Sequence, residues 1–405
     1  MKIQGVRALE ILDSRGNPTV QAEVGLSDGT RAKAQVPSGA STGRHEAPEL
    51  RDGDPLRYGG KGVRQAVRNV DELLGPLVQG MDASNQSAVD NRMLENGGSN
   101  RFGANAVLAV SCAVARAAAA SLRLPLWRYL AAGRDCHVPV PMVNIISGGL
   151  HAGRNLEFQD FLVIPTGYPS VADGLEAVAG VRRETGRLLL EQGCVLTGVA
   201  DEGGWGPRLN SNEEAVSSLR EAIERTAAKM DIALDVASTH FYTDGAYMLE
   251  GQTLDAAGMG DLLETWLDRY GVTSIEDALA EDDWDGWTAL TRRLGSKVKL
   301  VGDDLFTTDP DRLDRGIREG AANSVLVKMN QIGTLTQTFE VVAKARAAGY
   351  GVVVSARSGE TEDSFLADLA VACAADHIKI GSITRSERLA KYNRLLEIER
   401  FEISA

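Results

Sequence analysis

The sequence predicts an α/β chain in which a (β/α)₈ barrel of TIM type, residues 136–405, follows a smaller α+β capping domain, residues 1–135. Two observations carry this expectation. In the C-terminal two-thirds, short apolar runs alternate with segments of helical periodicity, and several runs end in a charged residue. Asp235 closes DIAL, Glu276 follows VTSI, Asp303 follows KLVG, Lys328 follows SVLV and Lys379 follows HI. Strand, charged tip and helix in repetition is the pattern of a barrel whose strand ends gather on one face and carry its chemistry. Upstream, VRALEIL, TVQAEVGL and TRAKAQV alternate in polarity and are separated by the turn sequences SRGNP and SDGT. That rhythm predicts a three-stranded antiparallel meander.

The remaining elements follow in order. Helical periodicity runs from about residue 62 to 80, from 87 to 94 and from 104 to 132. Residues 104–120 are the most apolar stretch, but they include Arg116 and are too short and Ala-rich to span a bilayer, so they are expected to form a buried helix. After CHVPVPMVN come the apolar runs FLVIP, CVLTGVA, IALDVA, VTSIED, KLVGDDL, SVLVKMN and GVVVSAR, each read as a barrel strand. No internal repeat and no low-complexity segment interrupts them.

At 405 residues the chain has room for a barrel of about 250 residues and a smaller partner. A formal charge of −13 argues against nucleic acid or an anionic membrane surface as partner. It leaves room for a small anionic substrate, because a bound metal and local Lys or Arg reverse the field inside a cleft. Cys112, Cys136, Cys194 and Cys373 are widely spaced without a CxxC, as in a cytosolic protein with reduced thiols. The first residues, MKIQGVRALEILDSRGNP, lack the apolar core of a secretory signal. The expected location is the cytoplasm.

Three carboxylates without an adjacent His or Cys, those of Asp235, Glu276 and Asp303, suit a hard oxygen-loving divalent ion, Mg²⁺ ahead of Zn²⁺. Lys328 and Lys379 beside them offer a base and an electrophile, which together describe metal-assisted proton abstraction. Two Gly-rich loops accompany this set. Pro37–Gly43 reads either as a plain connector or as a lid whose Ser41 reaches a metal or phosphate on closing. In the second, residues 147–154, His151 lies between glycines and is a candidate for substrate contact. Neither loop has the pattern of a nucleotide phosphate loop.

The segments LDSRGNPTV (12–20), VPSGASTG (36–43), NIISGGLHAG (144–153), DEGG (201–204), SIED (274–277), GDDL (302–305), KMNQIGTL (328–335), SGETEDSFLADLAV (358–371) and RSERLAKYN (385–393) resemble enolase, phosphopyruvate hydratase. They run in order from about residue 3 to residue 400. The resemblance implies an N-terminal α+β domain on a barrel whose first βα units are irregular. It also implies a Mg²⁺-dependent reaction on 2-phosphoglycerate, in a homodimer or larger assembly. Asp235, Glu276 and Asp303 would then hold one Mg²⁺, and Ser41 would help hold a second through the substrate phosphate. Lys328 would remove the proton alpha to the carboxylate, Lys379 would stabilise the enediolate, and Glu202 would protonate the departing hydroxyl. Arg357 and Ser358 would grip the phosphate, with His151 and Gln159 also at the substrate. Removing a proton beside an ionised carboxylate builds a dianion, and preorganised cations are what make it accessible. Those cations would hold Lys328 as a free amine near neutral pH.

The departures from the family pattern lie together. Enolases read SHRSGETED where this chain has Ala356 before Arg357-Ser358, and QE where it has Gln159-Asp160. They also tend to carry a Glu near Thr239-His240. Metal ligands and both lysines are kept, while the carboxyl of Asp160, read as catalytic, is drawn back by one methylene. Ala356 opens space beside the phosphorus site, so it enters the substrate-binding set. The expectation is a small anionic phosphorus-containing substrate and a changed reaction. Among enolase relatives it points to carboxyphosphonoenolpyruvate synthase of phosphinothricin-type antibiotic biosynthesis. Phosphopyruvate hydratase and a non-catalytic enolase-like binding protein are the alternatives.

Overall fold

The computed structural model describes residues 1–39 and 43–403. The N-terminal meander is β1 (Ile3–Leu12), β2 (Pro18–Leu26) and β3 (Arg31–Gln35), paired antiparallel in that order. Its alternation is physical: Val20, Ala22, Val24 and Leu26 are buried on one face of β2, and the helix Ala104–Ser121 covers that face. This helix is long and apolar enough to cross a membrane, yet 83% of it is buried in the fold. The helical run expected over 104–132 is broken at Leu122–Pro125, because proline cannot continue a helix donor ladder and instead starts the next helix, Leu126–Ala131.

Eight strands close the barrel: β4 (Val140–Ser147), β5 (Asp160–Ile164), β6 (Asp231–Asp235), β10 (Val272–Glu276), β11 (Lys299–Gly302), β12 (Ser324–Val327), β13 (Gly351–Ser355) and β14 (His377–Gly381). Between β6 and β10 a small antiparallel sheet intervenes, β7 (Tyr242–Thr243), β8 (Ala246–Leu249) and β9 (Gln252–Leu254). The barrel is not uniformly parallel. β5 pairs antiparallel with both β4 and β6, whereas β6 and β10 through β14 and β4 pair in parallel. Two helices, Val171–Glu191 and Asn212–Arg225, separate β5 from β6, and from β6 onward each strand is followed by a helix. The first units are therefore ββαα and the rest regular βα.

One expected strand is corrected. CVLTGVA, residues 194–200, is irregular, and the barrel's extra strand is VPMVNIIS at β4. Gly193 and Gly198 punctuate the former run, and Val195 is 77% exposed, so it has no surface to bury against. Beneath the open end of the barrel, Met142, Leu162, Ile164, Ala233, Val301, Leu326 and Val353 pack inward as a separate apolar floor. The capping domain is tied on by a half-buried ion pair and a backbone bridge. Arg116 forks onto Asp363 at 2.6 and 2.8 Å, and Ser38 exchanges two backbone hydrogen bonds with Gly359 at 2.7 and 2.9 Å.

Candidate active site

Strand ends place most of the set. Asp235 and Glu276 are the last residues of β6 and β10, and Asp303 and Lys328 directly follow β11 and β12. Lys379 differs from its expected place at a strand tip. It is the third residue of β14, and its long inward side chain climbs the barrel interior to the opposite wall. There Nζ donates at 2.7 Å to Asp235 Oδ2 and at 2.7 Å to Glu276 Oε2. Lys328 Nζ donates to Asp303 Oδ2, whose other oxygen accepts from Gln331 Nε2 at 3.0 Å. Gln159 Nε2 reaches Asp235 Oδ2 at 3.2 Å.

The electrostatics follow from this crowding. Burial, reinforced by the neighbouring Asp235 charge, pushes Glu276 up to about 8. Burial also works against the Asp303 carboxylate, but the Lys328 ammonium outweighs it and holds Asp303 low. Lys328 is raised because Asp303 overcomes its burial, and Lys379 is raised well above the usual lysine range by Asp235 and Glu276. With these pairings Lys328 is protonated. The free amine expected for a base therefore requires loss of its partner carboxylate or a competing cation.

The second residues of the two acidic doublets belong to the site as well. Asp277 accepts the backbone N–H of Asp303 at 2.9 Å and of Asp304 at 2.8 Å, fixing the turn that aims both. Ligand atoms of Asp277, Asp303 and Asp304 lie within 4.8 Å of one another. Burial pushes Asp304 up to about 8 and Asp277 well above the carboxylate range. The doublets in SIED and GDDL were the available signal, of which only the first acid of each was used.

At the other end of the cleft, His151 Nδ1 is 2.9 Å from Asp160 Oδ2 and Nε2 is 3.8 Å from Glu202 Oε1. Gly148 starts this turn, where any Cβ would collide with the Phe158 carbonyl. Burial opposes the imidazolium, yet Asp160 and Glu202 raise His151 to about 9. Burial raises Asp160 despite His151, whereas Glu202 is held below the usual range by His151 against its burial. Asp160, expected among the catalytic residues, is fully enclosed by polar partners. Its Oδ1 accepts from Ser147 Oγ at 2.9 Å and from Asn144, and its Oδ2 lies 2.9 Å from His151 Nδ1, the ring that faces the cleft.

Ala356, 6% exposed, lines the cleft with Arg357 and Ser358 and is fixed by its N–H donating to Lys379 O at 2.8 Å. The Arg357 guanidinium is already engaged, bidentate to Glu46 at 2.9 and 3.0 Å and with Asn330 at 3.0 Å. Glu46 was not anticipated. It follows the Gly-rich loop, and no local pattern tied it to Arg357. Ser41, expected to serve both metal and substrate, lies outside the described residues.

Residues 135–404 match the family model described as enolase, C-terminal TIM barrel domain, and residues 3–130 that of the enolase N-terminal domain. The chain belongs to the enolase family. An enolase-superfamily enzyme, a lyase fold with acidic groups able to hold a metal, is the functional class that follows. The donor set at this rim fits a hard cation. It offers only oxygen ligands, and an ammonium already sits where Asp235 and Glu276 converge. Burial chiefly raises Glu276 and Asp304, and the neighbouring Asp235 and Asp303 add like charge that a divalent ion would offset.

Proposed function

We propose that this chain forms a phosphorus-substituted enolpyruvate from a 2-phosphoglycerate-like substrate, taken here with a carboxyl group on its phosphorus, and so serves as a carboxyphosphonoenolpyruvate synthase of phosphinothricin-type antibiotic biosynthesis. The observation behind it is Ala356. A methyl group stands beside Arg357 where the family pattern has an imidazole, while Lys328, Lys379, Asp235, Glu276 and Asp303 are all kept. Asp235, Glu276 and Asp303 would hold one Mg²⁺, with Ser41 at a second, and when bound it supplies fixed positive charge at the substrate carboxylate and phosphorus oxygens.

The chain's own groups divide the work. Lys328, once free of its proton and of Asp303, takes the proton from the carbon alpha to the carboxylate. The C–H electron pair moves into the carboxylate, and the ammonium of Lys379 faces the resulting enediolate. As the carbon–carbon double bond forms, hydroxide leaves the next carbon and departs as water with a proton delivered by Glu202, which the His151 imidazolium 3.8 Å away resupplies. One water is lost and the phosphorus group stays on the enol oxygen. A homodimer or larger assembly belongs to the same proposal.

Phosphopyruvate hydratase is the second reading, supported by the intact His151–Glu202 pair. A non-catalytic role is disfavoured because a scaffold has no use for two buried lysines among carboxylates. The test is exchange of the C2 proton of 2-phosphoglycerate with deuterated solvent in the presence of Mg²⁺, read by NMR beside enol absorbance. Exchange should outpace phosphoenolpyruvate release, and Lys328→Ala should abolish it. Exchange persisting in that variant would remove Lys328 as the base.

A further inference from the structure

We infer that Arg388, on the helix Ser386–Glu397, is a positioning residue for the anion site, its buried guanidinium holding the Arg357–Ser358 turn from beneath in the shape that receives the substrate's phosphorus group. The inference rests on the reading just given, with that group seated at Arg357 and Ser358.

Arg357 and Ser358 line the cleft, but the turn they form is held from behind. Arg388 Nη1 donates to Arg357 O and Nη2 to Ser358 O, each at 2.7 Å. Nη1 also donates at 2.9 Å to the carbonyl of Ile380, the residue after Lys379. One planar fork therefore ties two consecutive carbonyls of the turn to the strand that carries Lys379. The point charge of a lysine on its flexible stem does not span them in this way. The same helix secures the rest of the turn. Arg357 N–H donates to Glu360 Oε1 at 3.1 Å, and Glu360 Oε2 pairs with Lys391 Nζ at 2.8 Å.

Arg388 is fully buried, a costly place for a charge. Glu387 Oε1 lies 3.6 Å from its Nε but accepts from Arg385 Nε at 2.8 Å, and Arg388 Nε has no hydrogen bond among the described residues. A helix face that only docked could do so with apolar side chains, as buried Leu395 does two turns along. The guanidinium is stabilised instead by the carbonyls it organises. Its stem also runs against the Glu202 segment. Gly381, at φ +114°, has no room for a Cβ, which would come within 3.0 Å of Arg388 Cδ and 2.9 Å of Glu202 O. Burial opposes the Glu202 charge, and His151 and then Arg388 hold it below the usual range. Arg388 thus lies beneath the cleft, between the phosphorus turn and Glu202.

The test compares Arg388→Lys, which keeps stem and charge without the fork, and Arg388→Gln with Tyr392→Phe. The last removes a 2.8 Å hydrogen bond from the same helix to Gly381 O and leaves the turn untouched. Calorimetry reads Mg²⁺ alone and then 2-phosphoglycerate in excess free Mg²⁺. Both Arg388 variants should weaken 2-phosphoglycerate by about tenfold, the order of one lost charge-assisted contact. Mg²⁺ affinity should stay unchanged, and C2 exchange should show a raised KM at nearly unchanged kcat. Tyr392→Phe should keep the parent's affinity even where urea unfolding shows lost stability. Affinity within about twofold of the parent in either Arg388 variant, an equal fall in Tyr392→Phe, or a parallel loss of Mg²⁺ affinity would overturn the positioning role. Ser358→Ala separates the levels. If it binds 2-phosphoglycerate as tightly as the parent, the seat of the phosphorus group is misread. If it binds weakly and the Arg388 variants do not, only the positioning role fails.

Discussion

Glu46 and Arg357 form a two-pronged ion pair, 2.9 and 3.0 Å, between a capping-domain loop and the turn after β13. Both side chains are nearly fully buried, at 9% and 2% exposure. An isolated buried guanidinium is expensive, so the pair acts as a clamp between domains and fixes the orientation of Arg357. Glu46→Gln should lower stability by about 3 kcal/mol, the usual cost of stranding one member of a buried pair. Urea unfolding measures it, and a change within about 0.5 kcal/mol, the range of inert surface substitutions, would reject the clamp.

Metal affinity should depend on Asp303. Asp303→Ala removes one of the three proposed ligands while the apolar floor of Met142, Leu326 and Val353 lies below it, so the fold should survive. Calorimetric Mg²⁺ affinity should fall by roughly tenfold or more, since each carboxylate contributes charge and a ligand oxygen. Unchanged affinity with intact circular dichroism would place the ion elsewhere.

The state of His151 gives a pH prediction. Its folded value of about 9 lies above the 6.5 of an unperturbed histidine. The folded state therefore binds the extra proton more tightly. This stabilisation is complete below pH 6.5 and is lost as pH rises through about 9. The urea midpoint should decline across that window, and His151→Gln should flatten the decline. A variant with the parent's slope would mean that other groups titrate there.

The altered end of the cleft separates a worn site from a changed one. Ala356→His with Asp160→Glu restores the family pattern at both positions. If the site is a weakened hydratase, the pair should recover a contribution of about 2–4 kcal/mol to the barrier, typical of a restored polar transition-state contact. If the space serves a carboxyphosphonyl group, the imbalance should run the other way on that substrate, because the ring would fill it. Kinetics on both substrates decide, and a double variant that handles the carboxyphosphonyl substrate as well as the parent excludes Ala356 as a space-giving residue.

Much of this was legible because strand tips are regular. Asp235, Glu276, Asp303 and Lys328 were found from apolar runs ending in charge, and each sits at or just past a strand end. Lys379 obeyed a different rule, reaching the site by side-chain length from within β14. Glu202 lies on irregular chain after a run mistaken for a strand, so only the resemblance reached it. Glu46 and the acceptor role of Asp277 depend on long-range pairing, which no local periodicity encodes.

The reversal of β5 has an implication for how such sites diversify. Because that strand runs against both neighbours, the chain leaves β4 at Ser147 and re-enters at Asp160 on the same rim. His151, Arg154, Gln159 and Asp160 therefore sit on one short excursion bounded by paired strands, with only the one-turn 3-10 helix Gly149–Ala152 inside it. Replacing that excursion as a single cassette would rewrite the leaving-group side of the reaction in one step. Lys328 and Lys379, on other strands, would be inherited unchanged.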